Sequence, residues 1–168
     1  MDDEDSARAK LWFGDAREAP RACGVRELAE EAGVLSTAQG LVAAPGDREG
    51  DSGGAGPEHF SDFPGGAPRV EQLPEISHWV APEDVPVRFD ARFFAVAAPR
   101  GLEPVPDGGE AVRAWWARPF DLLEANDSGG CLLYWPTMKV IEGLARCSTV
   151  DEVLETHIPQ IESEGQVI

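Results

Sequence analysis

The stretch from Pro20 to Gly33 constrains this chain more than any other. Placed on a helix at roughly 100° per residue, Glu27, Glu30 and Glu31 fall together, while Val25, Leu28, Ala29 and Ala32 fall opposite, with Ala22 at their edge. Such a helix needs a layer to bury its apolar side and presents three carboxylates outward. Gly33 stands where a left-handed terminator belongs. The start is less determined. Asp15 and Glu18 have capping-box spacing, yet Pro20 lacks an amide donor and suits the first helical position. A start at Asp15 and a start at Pro20 both remain open.

The acidic side is unfavourable in isolation. Like charges four residues apart destabilise a helix by a few tenths of a kcal/mol, and acids near a helix C-terminus oppose its dipole. Both costs disappear if divalent cations sit among the carboxylates, and hard oxygen ligands of this kind suit Mg²⁺. The plain alternative is a solvated acidic face, and for an arbitrary Glu-Glu pair that is the better reading.

Charge narrows the partners. Asp and Glu outnumber Lys and Arg 31 to 14, a formal net charge of -17. This surface repels nucleic acid and anionic membranes within a Debye length of about 8–10 Å. It also repels an anionic substrate, so a phosphate-handling site needs metal ions or a local basic patch. Cys23, Cys131 and Cys147 are too few and scattered for a disulfide framework or a zinc site, which favours reduced thiols. No apolar run approaches the roughly 20 residues that span a bilayer. Met1-Asp2-Asp3-Glu4-Asp5 is acidic, the opposite of a secretory signal. A cytoplasmic location is expected.

With 168 residues, of which 42% are hydrophobic, the chain suits one domain spanning residues 1–168. Residues 2–13 read as an acidic-headed helix with Ala7, Leu11 and Trp12 on one side. Gly40 to Pro68 is rich in Gly, Pro and Asp and reads as a long flexible insertion. Ile76–Val80 and Ala91–Ala97 read as strands, with Ala111–Ala117 a third candidate after the Pro106-Asp107-Gly108-Gly109 turn. Helices are expected near Pro119–Asn126, Pro136–Arg146 and Thr149–His157. This mixture predicts an α+β or α/β class with a layered core.

The string Glu18, seven residues, then Arg26-Glu27-Leu28-x-Glu30-Glu31-x-Gly33-Val34 resembles the Nudix box, Gly-x₅-Glu-x₇-Arg-Glu-U-x-Glu-Glu-x-Gly-U with U aliphatic. Every fixed position from Glu18 onward is matched, and Trp12 stands where the glycine is expected. Val87 to Phe94, Pro106 to Glu110 and Trp115-Trp116 look like the Nudix branch related to peroxisomal coenzyme A diphosphatases, in which an inserted segment displaces that glycine. The resemblance implies an α/β/α-like sandwich, a mixed sheet with helices packed on it. It also implies strands and a glycine pair ahead of the box, so the chain is expected to be N-terminally incomplete. Phe63-Pro64-Gly65-Gly66 imitates a motif that precedes many Nudix boxes, but it lies downstream and reads as coincidence in the loop.

What the resemblance implies for function is hydrolysis, with Mg²⁺ or Mn²⁺, of a nucleoside diphosphate linked to another moiety, coenzyme A or a derivative among them. Glu30 and Glu31 would be the principal metal ligands and Glu27 a further ligand or the base. Arg26 would pair with a carboxylate to hold the loop-helix-loop, and Glu18 would support the helix start. Glu110 is the candidate for the late glutamate of such enzymes, or else a turn-flanking surface acid. Arg88 and Arg92 would bind substrate phosphates or simply pair with surface acids, and Asp90 is ambiguous in the same way. His59, His78 and His157 show no ligand spacing, and Trp79, Trp115 and Trp116 read as packing. The partner is a small-molecule diphosphate, with a homodimer in keeping with many such enzymes. The alternative is an inactive fragment or metal-binding interaction module that keeps the acidic helix.

Overall fold

Residues 3–44, 62–83 and 89–161 are described by the computed structural model. They group into two compact units, Met1–Pro74 with Val96–Trp116, and Glu75–Ala95 with Ala117–Ile168. The class is α+β, with five α-helices and two antiparallel strand pairs among the described residues. None of those helices is long and apolar enough to cross a membrane.

In the first unit, α1 (Asp3–Phe13) begins with three acids that favour its positive N-terminus. Its inward face differs from the expected one. Asp5, Ala9 and Trp12 are buried, whereas Ala7 and Leu11 are exposed. The spacing i, i+4, i+7 is the helical stripe, and it runs through Asp5 because arginines meet that carboxylate inside. A short 3₁₀ turn, Ala16–Glu18, follows, with Asp15 capping it through the amide of Arg17 at 2.9 Å. The α-helix proper, α2 (Ala19–Ala32), carries Pro20 in its first turn. The open choice thus resolves close to the proline, with the Asp15 cap serving the turn ahead of it.

Gly33 ends α2 at φ 60°, its N–H reaching the carbonyls of Ala29 and Leu28. The chain then enters β1 (Val34–Thr37), which pairs with β2 (Gly40–Ala43). β2 occupies the start of the Gly40–Pro68 region expected to be loop, while residues 45–61 of that region lie outside the described residues. The hairpin's two-residue turn lacks the Asn-Gly that announces such turns. Thr37 supplies the turn chemistry instead, its hydroxyl accepting from Gln39 N at 3.1 Å and donating to Gly40 O at 2.8 Å.

Ala9 and Trp12 of α1, Ala19, Ala22, Val25 and Ala29 of α2, Leu35 of β1, and Phe63, Ala67 and Leu73 form one core. Phe63 meets Trp12 edge-on at 5.1 Å between ring centres. The Phe63–Gly66 stretch is therefore structural, not slack loop. A Cβ on Gly65 would meet Gln39 Cγ at 2.8 Å, and the Gly66 carbonyl accepts from Ala38 N at 2.8 Å.

In the second unit β3 (Glu75–Val80) pairs antiparallel with β4 (Asp90–Phe94), beside α3 (Pro119–Asp127), α4 (Trp135–Leu144) and α5 (Val150–Glu155). Pro119 and Pro136 open the first turns of α3 and α4, and Thr149 caps α5. Ile76, Trp79, Ala95, Val140 and Ile158 make the core of this unit. The buried Ser77 hydroxyl donates to Ile158 O at 2.7 Å and accepts from Trp79 Nε1 at 2.8 Å.

The expected strand at Ala111–Ala117 is absent, and Trp115 and Trp116 are 55% and 54% exposed. The Asp107 carboxylate takes the amides of Glu110 and Ala111 for itself, at 3.2 and 2.8 Å, and makes the start of the segment a turn. Trp116 donates its indole N–H to Leu102 O, which ties the two ends of this loop together.

Candidate active site

α2 buries Ala22, Val25 and Ala29 against α1 and β1, and this burial fixes its rotation. Glu27 and Glu31 are exposed and Glu30 half-buried on the other side. The apolar and acidic faces thus fall as the helical wheel placed them.

Arg26 lies between the two faces, with its side chain 21% exposed. Nη1 donates to Glu30 Oε2 at 2.6 Å, and Nη2 reaches Glu27 Oε1 at 3.3 Å and Cys23 Sγ at 3.5 Å. Its third side, Nε, points to Asp5 Oδ1 on α1 at 3.4 Å. Burial works against this charge, but the hydrogen bond to Glu30 and the fields of Glu30, Asp5 and Cys23 outweigh it, and the guanidinium is held protonated more firmly than usual. Cys23 donates its thiol to Glu27 Oε1 at 3.2 Å. Burial, then the bond to and charge of Glu27, then Asp5, push that thiol up to about 12.

The other wall of the site is the loop carrying Asp107 and Glu110. Its entry is seated on the end of α2, where Val105 N donates to Ala32 O at 2.8 Å. The seat requires Gly33, since a Cβ there would stand 2.9 Å from Val105 O and 3.2 Å from Val105 Cβ. The loop in turn acts on Glu31. Partial burial, followed by the negative charges of Glu27, Glu110, Asp107 and Glu30, raises its carboxyl from the ordinary value. Asp107 moves the opposite way, because the amide of Ala111 first, and those of Glu110 and Gly109, stabilise its charge.

Sequence reasoning placed Glu27, Glu30, Glu31, Arg26 and Glu110 in one site, and all five belong to the first unit. It missed Asp5, Cys23 and Asp107. The Asp107-Gly108-Gly109 segment was read as a turn and as part of the family resemblance, with no role for the Asp107 side chain, and nothing local marked Asp5 as inward-facing. Glu18 pairs with Arg21, which also donates to Leu73 O at 2.8 Å, so Glu18 supports the helix start through its neighbour. Arg92 sits on β4 in the second unit, paired with Glu75 at 3.0 Å and 3.9 Å from Asp90. Asp90 also meets His78 Nε2 at 2.6 Å. Arg88 lies outside the described residues.

The donor set is all oxygen, which is the chemistry of Mg²⁺ or Mn²⁺ and not of zinc. The like charges crowded around Glu31 are those a divalent cation would neutralise. Among the described residues no three His, Cys, Asp or Glu side chains come together in a group that could hold a metal ion, and Glu30 is paired with Arg26.

No family profile and no curated protein matches the chain. Among solved structures, the chain is similar to the crystal structure of a Nudix hydrolase from Alicyclobacillus acidocaldarius. The two are 26% identical with a TM-score of 0.67, over 94% of this chain and 78% of that one. The fold is Nudix-like, and this likeness supports a hydrolase of the Nudix type in general.

Proposed function

We propose that this chain hydrolyses, with Mg²⁺ or Mn²⁺, the phosphoanhydride of a nucleoside diphosphate linked to another moiety, coenzyme A or a derivative being the favoured substrate class. The observation that carries the reading is the acidic face of α2 joined at its end to the Glu110 loop, with Glu31 raised first by partial burial and then by the charges of Glu27, Glu110, Asp107 and Glu30. Glu27, Glu30 and Glu31 would hold the cation. When bound, it would supply charge neutralisation of the diphosphate and activation of the attacking water. Arg26 keeps the helix carboxylates oriented, and Glu27 or Glu110 accepts the proton of that water. The free thiols Cys23, Cys131 and Cys147 suit a reducing, cytoplasmic setting, and a homodimer is the proposed assembly.

The competing reading, a cation-binding module without turnover, draws on the open arrangement of the carboxylates. Phosphate and nucleotide release from coenzyme A, ADP-ribose and dinucleotides, with and without Mg²⁺, separates the two. The hydrolase reading expects Mg²⁺-dependent turnover of at least one substrate and its loss in Glu31→Gln. Folded protein that binds Mn²⁺ but turns over none of them supports the module instead.

A further inference from the structure

We propose that the Val96–Trp116 loop holds a nucleotide without help from a metal ion, its base on the Trp115 indole and its phosphate on Arg113 and Arg100. The choice of a nucleotide over other flat anions rests on the hydrolase reading, but the subsite calls for no cation on α2.

Trp115 is 55% exposed, and Arg113 Cζ stands over its ring at 5.3 Å from the centre. That is inside the roughly 6 Å of a cation–π contact. A single exposed indole is ordinary on a protein surface. Two further observations set this one apart. The loop is closed on itself here. Leu102 N bonds to Pro99 O at 3.4 Å with Gly101 at φ 81°, which makes a turn with Arg100 at its tip. The Leu102 carbonyl then accepts the Trp116 indole N–H, so the Arg100 turn is tied to the residue next to Trp115. The other observation is charge. Arg8, Arg17, Arg21 and Arg26 of the same unit each meet a carboxylate, whereas Arg100 and Arg113 meet none among the described residues. In a chain of net charge -17, two arginines left to solvent on one tied loop make a local basic spot.

This combination suits a nucleotide. Every base has a π-face that stacks on an indole, and a weakly hydrated guanidinium matches phosphate in shape and charge. Glu103 and Glu110 share the loop and oppose an anion, so the base should contribute more than the phosphate. Glu110 and Trp115 are five positions apart, at most about 18 Å even in extended chain, so a nucleotide on Trp115 rests beside the candidate active site.

The probe is AMP, titrated into the full chain in EDTA and followed by the indole N–H resonances. The Trp115 signal, identified by its loss in Trp115→Phe, should move, while those of the buried Trp12 and Trp79 stay. Trp115→Ala should weaken AMP at least about fivefold, the low end of what removing a stacking ring does. Arg113→Gln should weaken AMP about threefold and adenosine less than twofold. Lys10→Gln removes a charge from the exposed side of α1 and should change AMP binding less than about twofold, because solvent screens it. A folded chain that does not bind AMP, or a Trp115→Ala that binds it as the wild type does, overturns the proposal. So does ribose 5-phosphate bound as tightly as AMP, or equal losses in Arg113→Gln and Lys10→Gln. Mg²⁺-dependent turnover with an indifferent Trp115 sinks this inference alone. AMP bound on Trp115 by a chain that turns nothing over upholds the subsite and sinks the hydrolase reading.

Discussion

Replacing Gly33 by alanine probes the joint between the acidic helix and the Glu110 loop. Two costs are expected. Gly33 has φ 60°, and placing an L-residue in that region costs about 1–2 kcal/mol. The new Cβ would also stand 2.9 Å from the Val105 carbonyl oxygen, a backbone atom that must move. Its movement strains the 2.8 Å bond from Val105 N to Ala32 O, and losing a bond of this kind costs about 0.5–1.5 kcal/mol. Gly14→Ala in the same unit is the comparison, since Gly14 has φ 79° and nothing within 4 Å of its Cβ position. It should show only the conformational cost. Urea denaturation of both variants should place Gly33→Ala about 1 kcal/mol below Gly14→Ala, with a similar slope. A displaced loop should also carry Glu110 and Asp107 away from Glu31. Carbon-detected titration of the Glu31 carboxyl should then show a lower pKa in Gly33→Ala. Equal losses of stability in the two variants, or an unchanged Glu31 titration in a destabilised Gly33→Ala, would refute the coupling.

Three further outcomes follow from the geometry. In cation-free protein the raised Glu31 favours its protonated form in the folded state, so its contribution is present below the ordinary carboxylate pKa and lost as pH rises through its folded value. Glu31→Gln should therefore flatten that loss and stabilise the cation-free chain near neutrality by a few tenths of a kcal/mol, read from melts between about pH 4 and pH 7; a wild-type melt no less stable at the upper end than the variant contradicts it. Ser77→Ala leaves the Ile158 carbonyl and the Trp79 indole N–H without their buried partner, and should cost about 1–3 kcal/mol in denaturant unfolding, whereas a loss under about 0.5 kcal/mol would mean water replaces the hydroxyl. Cys23, with its thiol pushed up to about 12, should resist iodoacetamide near pH 8, where only about one molecule in ten thousand carries the thiolate. Mass spectrometry showing Cys23 modified as fast in folded as in urea-unfolded chain would contradict that assignment.

What was legible in the sequence was what repeats with the helix or carries its own punctuation. The two faces of α2 follow from 3.6-residue spacing, and Gly33 marks its end without help from any distant residue. Helices α3 and α4 announced themselves by prolines at their starts, and β3 by its short apolar run. Features decided by distant partners were hidden. Asp5 looks like one more acid at a helix head until Arg26, 21 positions away, draws it inside. Trp115 and Trp116 look like core residues of a strand, but a strand needs a partner edge, and Asp107 captures the amides that would have started one. The β1–β2 hairpin was invisible because a threonine hydroxyl does the work that Asn-Gly does elsewhere. At the site, the helix carboxylates could be read directly, whereas the closeness of Glu110 and Asp107 to Glu31 depends on a contact across the chain.

The bond between Ala32 and Val105 bears on the order in which the protein assembles. The loop bearing Glu110 joins the end of the helix 73 positions later (105 − 32), after the chain has passed through all of β3 and β4. Closing a loop of that length costs about 4 kcal/mol of chain entropy before any contact rewards it. During synthesis the acidic helix therefore emerges well before its opposing wall exists, and the candidate site becomes complete only when the later segment returns to the end of α2.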